Sequence, residues 1–78
     1  MALNRATRRK LGNLVGEADR TVAEMILERG GNAANVRQAG PWADKTLAQT
    51  AEAAAQGDKT ADTAMKIVKQ ARRLGERH

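Results

Sequence analysis

The 78-residue sequence contains no Cys, Ser, Phe or Tyr, and its single His, His78, is the last residue. These absences exclude a Ser/His/Asp or Cys/His catalytic site and a zinc site of Cys and His. The nine Asp and Glu side chains could act as a catalytic pair only in a cleft that shields them from water, and so short a helical chain is poorly suited to form one. We therefore predict a protein that is not an enzyme and has no metal, cofactor or small-molecule substrate.

Long apolar segments are also missing. No run of about 18 apolar residues occurs, and the first residues lack the apolar region of a signal peptide. These absences predict a soluble protein of the cytoplasm or of a virion, without a membrane partner.

Large apolar side chains are scarce. Of the 32 hydrophobic residues, 16 are Ala, and only 12 of the 78 residues are Leu, Ile or Val. A chain of this length forms at most one small core. So few large side chains favour Ala-rich helices that are stabilised by self-association or by a partner, rather than a compact monomer. We predict one helical domain over residues 1–78.

Gly and Pro interrupt the helical period at four places: Gly30-Gly31, Gly40-Pro41, Gly57 and Gly75. The intervening segments predict helices over about residues 4–29, 33–39, 42–56 and 58–74, with Asn32 and Asp58 as N-caps. No segment alternates as a strand would. The predicted fold class is an all-α bundle of three to four helices. Gly12 and Gly16 are either tolerated within one long first helix or mark a break after a basic first segment.

The first predicted helix carries the clearest apolar stripe, which includes Leu14, Ala18, Val22 and Met25. The later helices offer few large side chains to cover this stripe. Each large side chain left exposed would forfeit roughly 1.5 to 3 kcal/mol. We therefore predict a homo-oligomer whose seam includes these four residues.

Positive charge is concentrated at the two ends of the chain, whose overall net charge is +5. Residues 1–10 carry +4 without any acid, residues 11–35 carry −2, residues 36–57 are neutral, and residues 58–78 carry +3. Basic ends around a neutral middle predict two contact points for a polyanion, although a solvated helix face explains the C-terminal stripe equally well. The bases assigned to this role are Arg5, Arg8, Arg9, Lys10, Lys66, Lys69, Arg73 and Arg77.

The segment GNAANVRQAGPWADKTL, residues 31–47, combines an Asn-led helix ending at Ala-Gly, an aromatic residue, and a Lys-Thr pair that opens the next helix. It resembles the helix-turn-helix segment of phage terminase small subunits. The resemblance implies that Arg37 meets a phosphate and that Lys45, Thr46 and Gln49 face the major groove. Gln can pair with adenine edges and Lys with guanine edges.

These observations predict a small helical protein that binds duplex DNA mainly through phosphates, in a phage, plasmid or bacterial setting. A lone Trp42 cannot supply the stacked aromatic platform that single strands require. The alternative is a structural or adaptor protein, such as a virion component, that docks on a protein partner through its amphipathic helices. In that case the basic ends are solubilising faces or contact an acidic partner.

Overall fold

The computed structural model describes residues 3–76, which form six α-helices and two 3-10 segments. The helices are α1 (Arg5–Leu11), α2 (Val22–Glu28), α3 (Ala33–Gln38), α4 (Leu47–Ala55), α5 (Lys59–Lys69) and α6 (Ala71–Gly75). The 3-10 segments are Gly12–Glu17 and Gly40–Asp44. The predicted all-α class is confirmed. Among the described residues, no helix has the length and apolar character needed to cross a membrane.

Side-chain caps determine where the first five helices begin. Their N-caps are Asn4, Thr21, Asn32, Thr46 and Asp58, and each accepts a hydrogen bond from a backbone N–H of the first turn. Three of them form a capping box, in which the N3 side chain bonds back to the backbone of the cap. The predicted caps Asn32 and Asp58 are confirmed.

The first predicted helix is broken, so the interpretation of residues 4–29 as one long helix is wrong. Helix α1 ends at Leu11 because Gly12 adopts a positive φ of 59° with ψ of −130°, a non-helical conformation that favours glycine. A 3-10 segment follows, and Thr21 caps a new helix through the backbone N–H of Glu24, 3.1 Å from its Oγ1. The glycines therefore mark a break after the basic first segment.

Two later boundaries also differ from the prediction. Residues around Trp42 form a 3-10 segment, and α4 begins only at Leu47, after its Thr46 cap. The predicted last helix is divided at Gln70 into α5 and α6. Gln70 N donates to Lys66 O (2.9 Å) at the end of α5 and Leu74 N donates to Gln70 O (3.0 Å) at the start of α6, while Gln70 itself has non-helical backbone angles, with φ of −105° and ψ of 10°.

Helix α5 lies at the centre of the packing, against α2, α3 and α4, while α1 packs on α4 and α6 packs on α2 and α3. The largest fully buried apolar side chains are Leu11, Val22, Ile26, Leu47, Met65 and Val68. Six alanines are also buried: Ala39, Ala51, Ala54, Ala61, Ala64 and Ala71. Their small side chains let the helices approach closely, so few large residues suffice to fill the core.

The predicted oligomer seam depended on an apolar stripe that the rest of the chain leaves uncovered. Leu14, Val22 and Met25 are only 4%, 0% and 4% exposed, and Ala18 packs against the same core. The break after Leu11 allows both halves of the stripe to face the interior of the same chain. No uncovered stripe is left along these four residues for a second copy to cover.

Candidate nucleic-acid interface

The fold brings the two basic ends of the chain together. Arg9 and Lys10 of α1 lie beside Lys66 and Lys69 of α5, around a recess whose floor includes the buried Met65. Helix α1 reaches this position because its buried Leu11 anchors it in the core. Bases that are more than 50 positions apart in the sequence thus share one surface.

Two further recesses adjoin it along α5 and α6. The one towards the start of α5 is bordered by Lys10, Lys59 and Lys66, and the one towards α6 by Lys69, Arg72 and Arg73. We call this strip the basic groove, and its bases are Arg9, Lys10, Lys59, Lys66, Lys69, Arg72 and Arg73. Its acids are Asp58, Asp62 and Glu76. Bases therefore exceed acids in the basic groove by four.

Asp62 connects α5 to α1 at the middle of the basic groove. Its carboxylate accepts a hydrogen bond from Lys10 Nζ at 3.1 Å and lies 3.4 Å from Lys66 Nζ. The hydrogen bond from Lys10, assisted by the charge of Lys10 and by Lys66, lowers the pKa of Asp62. The pair holds the end of α1 against α5, so that Arg9 stays at the rim.

The other two acids of the basic groove are also engaged. Asp58 caps α5 by accepting from the backbone N–H groups of Ala61 and Thr60 and from the Thr60 hydroxyl, and these bonds lower its pKa. Glu76 lies 3.7 Å from Arg72. The ion pairs among the described residues include none with Lys59, Arg9, Lys69 or Arg73. These four cations are therefore available to an anionic partner.

The largest acidic cluster lies elsewhere. Arg20 is surrounded by Glu17, Glu24 and Glu28. The hydrogen bonds and charges of Glu28, and less strongly those of Glu24, raise the pKa of the guanidinium. Glu24 and Glu28 belong to α2, and α2 packs on the buried side of α5. None of these four residues lines the basic groove.

The predicted base-reading residues lie outside the basic groove. Thr46 and Gln49 border a separate recess, which they share with Asp19 and Glu52, at the start of α4. The Gln49 side-chain oxygen accepts from Thr46 N (3.0 Å) and from the Thr46 hydroxyl (3.3 Å). That oxygen is therefore occupied by the capping box, and the neighbouring carboxylates disfavour phosphate there.

The helix-turn-helix arrangement is not confirmed. Helix α3 packs on α2, α5 and α6, whereas α4 packs on α1 and α5. The Gly40–Asp44 3-10 segment separates the two helices in place of a tight turn. Arg37 and Lys45 are exposed, but they do not line the basic groove.

Other predicted contacts have varied positions. Arg5 and Arg8 are exposed on α1 without lining the basic groove, and Arg77 lies outside the described residues. Lys59 and Arg72 line the basic groove, although the sequence analysis did not assign them. The seven-residue spacing of Lys59, Lys66 and Arg73, two helical turns each time, could have identified Lys59.

Residues 3–76 contain no group of three or more His, Cys, Asp or Glu side chains placed to hold a metal ion. Comparisons of the chain with protein-family models, curated proteins and solved structures find no match.

Proposed function

We propose that this protein is a non-enzymatic DNA-binding protein that holds duplex DNA through phosphate contacts in the basic groove. The observation that carries the proposal is the joining of Arg9 and Lys10 to Lys66, Lys69 and Arg73 on one concave strip. The helical part of this strip, residues 59–75, is about 25 Å long at 1.5 Å per residue. One full turn of duplex DNA is about 34 Å long, so the strip spans more than half a turn.

The number of available cations sets the expected salt dependence. Four bases of the basic groove have no ion pair among the described residues, and each phosphate they neutralise releases condensed counterions. Four such contacts give a slope of log K against log salt of about −3.6. Raising salt from about 50 to about 200 mM should therefore weaken binding by roughly 100-fold. Lys10 and Lys66 contribute less because Asp62 already partly neutralises them.

A matched pair of double variants tests the location of the contact. Lys69→Gln with Arg73→Gln removes two cations from the basic groove, and Arg37→Gln with Lys45→Gln removes two cations outside it. Both variants have the same net charge, so non-specific attraction falls equally. We expect the first variant to flatten the salt slope by about 2 and the second to leave it nearly unchanged. Binding is measured by fluorescence anisotropy of a labelled 20-base-pair duplex, a probe of about two helical turns.

The outcomes distinguish binding in the basic groove from binding elsewhere on the protein and from no DNA binding. If only the Arg37 and Lys45 variant weakens binding, the contact is the one implied by the terminase resemblance, and the basic groove is not the site. A parent protein that does not bind duplex DNA at about 50 mM salt overturns the proposal itself.

A second candidate is the adaptor that docks on a protein partner. The observation in its favour is that Val15 and Leu27 are 41% and 54% exposed. Isolated exposed apolar residues are ordinary on a protein surface, so this support is weaker than that of the basic groove. Docking through such residues would change little with salt, in contrast to phosphate binding.

A further inference from the structure

The exposed side of α5 forms a ridge that continues into α6. Its outermost side chains recur every three or four residues and are Lys59, Thr63, Lys66, Gln70 and Arg73, all of them exposed. The stripe crosses the junction of α5 and α6 at Gln70, where the backbone leaves the helical region with φ of −105° and ψ of 10°. We call these five residues the α5 ridge.

The α5 ridge forms one wall of the basic groove, opposite α1. A second recess, lined by Pro41, Lys59 and Thr60 among others, borders the first turn of α5 on the side of the second 3-10 segment. A helix with its side chains is about 10–12 Å across, which matches the width of about 12 Å of the DNA major groove. The ridge can therefore enter the major groove while phosphates occupy the adjoining basic groove.

Gln70 is the one ridge side chain that is both uncharged and free to form new hydrogen bonds. The Thr63 hydroxyl donates to Lys59 O within the helix at 3.0 Å. The Gln70 amide, in contrast, takes part in none of the side-chain hydrogen bonds among the described residues, and it lies between Lys66 and Arg73. Gln offers the donor and acceptor pair that matches N7 and N6 of adenine in the major groove.

We propose that the α5 ridge enters the major groove and that Gln70 reads adenine there. This inference rests on the proposed function, since the phosphate contacts of the basic groove hold the ridge in place. It assigns base reading to α5 instead of α4, where the oxygen of Gln49 is used by the capping box.

The test uses two duplexes that differ by one major-groove atom at each adenine. One is an alternating A·T duplex of about 20 base pairs, two helical turns, and the other carries 7-deazaadenine at every adenine. The second duplex lacks the N7 acceptor but keeps base pairing and the minor groove. We expect the parent to bind the deaza duplex at least about fivefold more weakly, the lower end for loss of a bidentate contact. Gln70→Ala should bind both duplexes equally.

Two matched variants control for the loss of an amide. Gln56→Ala removes an exposed Gln beyond the end of α4, and Gln49→Ala removes the amide assigned by the resemblance; both should keep the parent's discrimination. Equal binding of both duplexes by the parent, or unchanged discrimination in Gln70→Ala, overturns the inference while salt-dependent binding leaves the proposed function standing. Discrimination lost only in Gln49→Ala assigns reading to α4 and also overturns it. Absence of any DNA binding overturns both proposals.

Discussion

Two threonines are buried in the core, and their hydroxyls have different surroundings. Thr50 Oγ1 donates to Thr46 O at 2.8 Å, whereas Thr7 Oγ1 has no hydrogen-bond partner among the described residues. Val has nearly the same shape as Thr but no hydroxyl. Thr7→Val should therefore leave stability unchanged or raise it by up to about 1 kcal/mol, and Thr50→Val should lower it by about 1 kcal/mol. The single Trp42 allows unfolding to be followed by fluorescence, and equal losses in the two variants would contradict this account.

Gly31 is required by close packing rather than by its backbone angles. A Cβ at this position would lie 2.5 Å from Ile26 Cγ2 and 2.9 Å from Ile26 O. Gly31→Ala should cost about 1–3 kcal/mol, because Ile26 is buried and cannot move freely. Gly16→Ala is the matched control, since no atom lies within 4 Å of the added carbon, and it should be neutral or stabilising. Chemical denaturation of both variants measures the difference, and a stable Gly31→Ala would show that the loop has room to shift.

Some contacts of single residues cannot be predicted from the sequence, because they depend on tertiary packing. The pair Gly30-Gly31 correctly indicated the end of a helix. Its contact with Ile26 depends on the path of the following loop, which no local pattern encodes. The same holds for Thr7, whose burial follows from the docking of α1.

At the scale of elements, the N-cap residues that were recognised in the sequence correctly predicted where helices begin. Asn32 and Asp58 were identified as caps, and α3 and α5 begin immediately after them. Thr21 and Thr46 carry the same kind of signal, a Thr followed three residues later by Glu or Gln. They were missed because the apolar period continues across both positions. Where a continuous apolar period crosses a capping box, the helix begins at the capping box.

The attachment of α1 to α5 should depend on pH. The pKa of Asp62 is lowered in the folded protein, chiefly by Lys10. Its contribution to stability is therefore present above the ordinary Asp value of 3.8 and is lost as the pH falls through the lower folded value. Thermal melts between about pH 5 and 2 should show a smaller acid-induced loss for Asp62→Asn than for the parent. Asp44→Asn, which removes an exposed carboxylate outside the ion pairs of the described residues, should behave like the parent, and an unchanged profile in Asp62→Asn would contradict the role of this pair.

At the scale of the whole molecule, the sequence showed which segments are basic but not that they meet to form a groove. Both basic ends were visible in the chain, whereas their meeting depends on how α1 docks. The prediction of self-association rested on the number of large side chains and did not consider the six buried alanines, which also fill the core. The radius of gyration of 11.3 Å is close to the value of about 11.5 Å expected for a folded monomer of this length.

The closed core leads to a prediction about self-association. Val22 is fully buried within the chain, so Val22→Asp would place an unpaired charge in the core and should unfold the monomer, with a loss of several kcal/mol from a small total stability. Leu27→Asp is the matched control on the same helix, since Leu27 is 54% exposed, and it should stay folded. We expect the parent to sediment as a monomer at tens of micromolar, with a Tm independent of protein concentration. A Tm that rises with concentration, together with a Val22→Asp variant that is folded and monomeric, would instead restore the seam through Leu14, Ala18, Val22 and Met25.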